Sequence, residues 1–165
     1  MKKYLLLVSL IFGGVAYAQQ EVKFDFLDAV ALKTIEVSYE YYLDNQSSVG
    51  LSALFNLEKK TADFRYNEKT MLSPFFRHYF TTEARWNFFG EAFFSWNEGD
   101  KKIETNGQET FVNYNDIAIG AAIGSKYISN GGLTIDIHGG VGRNLSGEKG
   151  PVLVPRVGLN IGYQF

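Results

Sequence analysis

Carboxylates and cations alternate through this chain at a spacing that would aim them at one another. Asp25, Glu36, Glu40, Glu91 and Asp136 share one side-chain parity in their segments, and Arg77, Arg85, Lys126 and Arg156 fall on the matching parity of theirs. Acids and bases brought together out of water could relay a proton or guide an ion. They could equally neutralise each other, because an unpaired buried charge costs several kcal/mol. Pairing is the expectation here, with Arg77 on Glu40 or Glu91 and Arg156 on another inward acid.

Other residue types offer less. His78 and His138 are the two histidines, and there is no cysteine. Asp136 and His138 lie two apart on one strand face, but metal sites want several convergent ligands, and no third is evident from the sequence. Ser73 and His78 differ in parity, so they cannot form a nucleophile and base within one strand. The stretch HGGVG at 138–142 superficially resembles a phosphate or oxyanion loop. Such loops need a following helix, and none follows, so glycines that relieve crowding are expected instead. No catalytic residue, cofactor or metal site is predicted.

The elements that carry these residues are strands. After residue 18 no 3.6-residue periodicity appears. Segments of period 2 run over 22–31, 34–43, 48–57, 71–80, 83–96, 111–127, 132–145 and 154–165, separated by turn formers. Glycines number 17, prolines 3, and aromatic residues make up 16%, a mixture that favours strands with close backbone approaches.

Before them stands a leader: Lys2 and Lys3, an apolar run over 4–15, then Ala16-Tyr17-Ala18. That is the pattern of a cleavable secretory signal, and the run is short of the about 20 residues of a spanning helix. Residues 1–18 are therefore read as signal peptide and 19–165 as one domain beginning at Gln19. Acids outnumber lysines and arginines 18 to 16, and two of those lysines leave with the leader. This excess argues against a nucleic-acid partner, which calls for a basic face.

Opposite the charges, each strand carries large apolar residues. Examples are Ile35, Val37, Tyr39, Tyr41 and Leu43 in the second, and Trp86, Phe88, Ala92, Phe94 and Trp96 in the fifth. The sixth sets Ile117, Ile119, Ala121, Ile123 and Tyr127 against Ala118, Gly120, Ala122, Gly124 and Lys126. A soluble barrel would have to crowd the rings into a narrow interior. The inverse arrangement, apolar outside and polar or tiny inside, is that of a transmembrane barrel. Asp28 breaks the pattern, since the register that turns Phe24 and Phe26 outward turns it outward too. A bulge or a position at the outer interface is expected there.

Loop lengths agree in phase. The connections 44–47, 81–82 and 128–131 are short, whereas 58–70, 97–110 and 146–151 are longer and charged; only the first outer turn, near Leu32 and Lys33, is tight. Transmembrane barrels have short periplasmic turns and longer outer loops. Tyr41, Phe80, Trp86, Tyr127, Tyr163 and Phe165 gather at the short-turn end as an interfacial girdle.

The closing RVGLNIGYQF aligns Val157, Leu159, Ile161, Tyr163 and Phe165 on one parity. It resembles the C-terminal assembly signal of bacterial outer-membrane proteins. The whole mature chain resembles the eight-stranded barrels of the OmpX and OmpA-barrel type. Within it, EVSYEYYLDNQSSVGLS, LSPFFRHYF and RVGLNIGYQF are similar to a family of small outer-membrane proteins of the Bacteroidetes, although FRHYF departs from that family's Arg-Tyr-Tyr-Phe-like ending. The resemblance implies an all-β, eight-stranded antiparallel up-and-down barrel in the outer membrane with both termini periplasmic. It implies no activity. The partners expected are outer-membrane lipid and lipopolysaccharide, the barrel-assembly machinery during biogenesis, and other outer-membrane proteins. The expected role is structural or interactive. A narrow pore or ligand-binding barrel is the alternative, and a lipid-modifying enzyme ranks behind it.

Overall fold

The structure is a computed structural model and describes residues 19–57, 68–82, 84–105, 108–146 and 150–165. The expected signal peptide 1–18 and parts of the expected connections (58–67, 106–107 and 147–149) lie outside the described residues, as does Glu83. Eight strands follow in order: β1 Gln20–Asp25, β2 Thr34–Tyr42, β3 Ser47–Asn56, β4 Glu68–Tyr79, β5 Trp86–Thr105, β6 Gln108–Ile128, β7 Leu133–Asn144 and β8 Leu153–Gln164. Each pairs antiparallel with its neighbours, and β8 returns to β1, closing an up-and-down barrel. Closure satisfies the backbone groups that an open sheet leaves unpaired. Among the described residues no helix is long and apolar enough to cross a membrane.

The seam is made by the carboxy-terminal residue. Gln20 N–H donates to Phe165 O at 3.1 Å, and Phe165 N–H donates to Gln20 O at 2.9 Å. Val157, Ile161, Tyr163 and Phe165 are exposed on the outer wall, with Leu159 partly so. Around the barrel the outward residues form a continuous apolar belt that includes Val37, Leu51, Phe76, Phe94, Ile119, Ile137 and Ile161. So extensive an exposed apolar surface marks a membrane or protein interface, not a wall facing water. At one end of the belt Trp86 packs on Tyr127 with ring centroids 5.4 Å apart, and Phe80 on His78 at 5.6 Å. Tyr41 lies at the same end, half-buried.

The first strand departs from expectation. It ends at Asp25 instead of reaching residue 31, and the chain turns through a π-helical segment, Asp28–Leu32. Lys33 closes the segment in the left-handed region at φ 51°, its N–H donating to Asp28 O. This turn, neither a bulge nor an outer-interface position, resolves Asp28. It carries the side chain into the barrel, where it is fully buried and its N–H donates to Asp25 Oδ1 at 2.9 Å.

Two connections differ as well. The stretch 97–110 is largely ladder: β5 and β6 stay paired from Trp86↔Tyr127 out to Thr105↔Gln108. On β7 the pairing with β6 stops sooner, at Ala118↔Asn144, and among the described residues β4 pairs with β5 from Glu68↔Gly99 onward. The hairpin thus extends beyond the end of β7. At the opposite end the turn between β4 and β5 spans 80–85 instead of two residues, because Arg85 and its neighbours fall outside the ladder.

Candidate functional site

Inside the barrel the charges form one buried assembly. Arg77 and Glu91 are direct cross-strand partners on β4 and β5, and Arg77 Nε donates to Glu91 Oε2 at 2.6 Å. The same guanidinium reaches Glu40 at 3.3 Å and also binds Asp136. Lys126 reaches Glu21 at 2.6 Å and Glu40 at 2.8 Å. Lys23 binds Glu40 and lies 3.3 Å from Asp136. Arg156 pairs with Glu91 and approaches Glu36 at 3.6 Å. Four cations thus meet Glu21, Glu40, Glu91 and Asp136 in a cross-linked set, almost all of it out of contact with solvent.

Polar neighbours complete the satisfaction that such a network needs. Ser48 Oγ and Tyr79 Oη each donate to Glu40 at 2.6 Å, and Tyr42 Oη donates to Glu21 at 3.0 Å. His138 donates from Nδ1 to Asp136 at 3.1 Å, as a carboxylate partner requires. His138 is therefore a lumen histidine, while His78 is exposed on the outer wall. Ser73 is buried on the inner face, so the two faces separate it from His78.

Of the nine charged residues expected inside, eight are there. Arg85 is the exception. It precedes β5 in the exposed turn, where its carbonyl accepts from Ile128 N–H at 3.1 Å. Sequence reasoning missed Glu21 and Lys23, although both share the parity of Asp25 and could have been found by stepping back two residues at a time.

It also missed the rings. The inner face is not confined to polar, charged or tiny groups: Phe75, Phe89, Phe93 and Tyr79 are buried inside. They serve the cations. Arg77 Cζ lies 4.1 Å from the Phe89 centroid, Arg156 Cζ lies 5.1 Å from that of Phe93, and Lys126 Nζ lies 5.2 Å from both Tyr42 and Tyr79. Such faces attract cations, more strongly when desolvated. The rings fit because facing strands offer glycine. A Cβ on Gly50 would collide with Phe75, one on Gly120 with Phe93 and one on Gly124 with Phe89. In the HGGVG stretch a Cβ on Gly140 would strike Ala121 and Ala122 and one on Gly142 would press on Phe93, whereas one on Gly139 would meet open space.

Toward the β5–β6 hairpin the lumen mixes apolar and polar groups, with Glu68, Asn97, Asp116 and Asn144 buried and Asn97 Nδ2 donating to Asn144 Oδ1 at 2.9 Å. Leu54, Met71, Ala118 and Val154 make a buried cluster across the barrel from β3 and β4 to β6 and β8. Between it and the central network Asp25, Asp28 and Glu36 bring carboxylate oxygens within 4.8 Å of one another. That is a metal-ligand geometry that the sequence did not reveal, because it depends on the π-helical turn.

No protein-family model and no curated protein matches the sequence. Among solved structures the chain is similar to the N-terminal β-barrel domain of Pseudomonas aeruginosa OprF, with a TM-score of 0.57 and 17% identity over 90% of this chain and 96% of that one. It is also similar to the neisserial surface protein NspA, at TM-score 0.53 and 12% identity over the same shares. At these identities the likeness is one of fold.

Proposed function

We propose that the protein is a non-enzymatic barrel of the outer membrane with a structural or interaction role. It would support envelope integrity or serve as an accessory subunit of a larger outer-membrane complex, with both termini in the periplasm. Kinship to the Bacteroidetes proteins that its strands resemble belongs to the same proposal. One observation carries the reading: Lys23, Arg77, Lys126 and Arg156 are all engaged by buried carboxylates, and beyond them Leu54, Met71, Ala118 and Val154 pack in the lumen beside buried Asn97 and Asn144. An eight-stranded barrel is just wide enough for its own side chains. Among the described residues, what remains free to meet a partner is the outer wall and the extended β5–β6 hairpin.

A second reading, a narrow pore or binding barrel, draws on the Asp25, Asp28 and Glu36 carboxylates. Planar-bilayer recording separates the two. The structural reading expects no porin-size conductance, and steady cation-selective current would favour the second. Affinity purification of the native protein tests the accessory role, which predicts a reproducible outer-membrane companion. A lipid-modifying activity would show as a change in lipid A between deletion and wild-type cells; none is expected, because Ser73 and His78 face opposite ways.

A further inference from the structure

The β4–β5 ladder has a gap in mid-strand. Its pairs run through Met71↔Asn97 and Leu72↔Trp96, then resume at Phe75↔Phe93. Ser73 and Pro74 form no ladder pair with β5, although the unchanged register sets them opposite Ser95 and Phe94, and on the other side they pair with Ser52 and Leu51 of β3. Proline has no N–H to donate and is rare inside sheets for that reason. On the lumen side of the gap, the fully buried Ser73 and Ser95 hydroxyls find no hydrogen-bond partner in the protein. On the outer side, a groove of about 420 Å³ crosses the wall.

The groove runs from Val49, two residues into β3 from the short turn, past Pro74 and between Phe76 and Phe94, to Ile119 on β6. Ala92 forms its low point beside Phe76, its cross-strand partner. We infer that this groove, set at the Pro74 gap, docks one acyl chain of a phospholipid, a reading that rests on the barrel's spanning a membrane.

Position and shape select that occupant. The lining is apolar, and the groove sits within the exposed belt. Pro74 stands six residues from Phe80 of the girdle, roughly 15 Å up a tilted strand, about the middle of the apolar band. The Val49 end is close to the short turns, where a headgroup would lie, and the Ile119 end is deep in the band. A hydrocarbon chain entering from the short-turn leaflet follows that path. A second barrel would meet the proud Phe76 and Phe94 rings before reaching Ala92.

The test uses the full mature chain in phosphatidylethanolamine vesicles doped with phosphatidylethanolamine that carries a diazirine at the end of one acyl chain. After photolysis, labelled peptides are mapped. Expected is a several-fold excess of label at 92–94 and 119, where the chain end would rest, over outward residues of β2 and β7, falling to their level in Ala92→Phe and Ala92→Leu. The two variants are checked for heat-modifiable migration, so that at least one folded filling of the groove is compared. Even labelling around the barrel, or an excess that persists in a folded variant, overturns the inference. Cross-links from the groove to a second copy would overturn it in favour of self-association. Label on no outward strand would instead overturn the membrane reading itself.

Discussion

Arg77 and Glu91 sit directly opposite each other on adjacent strands, joined at 2.6 Å inside the barrel. The cross-strand pair is the hub of the lumen. Glu91 also holds Arg156, and Arg77 also holds Glu40 and Asp136, so three strands besides their own hang on this contact.

Replacing Arg77 by Met should therefore destabilise the barrel by about 3–5 kcal/mol, the cost of stranding buried charges. Urea unfolding in detergent micelles or vesicles measures it. Arg77→Lys should recover only part of the loss, since a point charge cannot reproduce the guanidinium's reach to several carboxylates. A silent Arg77→Met would mean that the network contributes nothing to stability.

The ring and glycine pairs make a second prediction. Gly120→Val should cost about 1–3 kcal/mol through overpacking against Phe93. Combining it with Phe93→Leu should be less damaging than the two single effects added together, because the smaller side chain removes one of the collisions, while those with Gly142 Cα and Val141 O remain and keep the rescue partial. A double-mutant cycle on unfolding free energies reads this coupling; strict additivity would place the clash elsewhere.

Deleting Phe165 should lower the amount of assembled protein in the membrane fraction. The residue closes the β1–β8 seam through both its N–H and its carbonyl, and it ends the exposed aromatic series. Heat-modifiable migration on gels reports the assembled fraction. Wild-type levels of the truncated chain would refute the proposed signal.

The hairpin prediction separates folding from role. Replacing 101–110 by a short Gly-Ser turn removes ladder that, among the described residues, neither β4 nor β7 shares. The barrel should still assemble, while a co-purifying companion or an envelope phenotype of the deletion strain should be lost. Full complementation by the shortened protein would move the function to the wall or the lumen.

The sequence by itself determined the strands, their outward faces and most of the inward charge. Period 2 is local: once one residue of a strand is placed, its neighbours two away follow, as Glu36 and Glu40 or Asp136 and His138 show. It also determined Phe165 as the closing residue, because parity holds to the last position. Tertiary structure decided what parity cannot express. Asp28 left its expected face because the chain broke into a π-helical turn after Asp25, and Arg85 left the lumen because the ladder begins only at Trp86, the residue after it, and not at 83. Which carboxylate each cation meets depends on the stagger of strands around a closed barrel, a property of the whole circle. Phe75, Phe89 and Phe93 turned inward against the simple rule of apolar residues outside. Their places exist only where Gly50, Gly120 and Gly124 arrive on neighbouring strands, and that meeting is fixed by register.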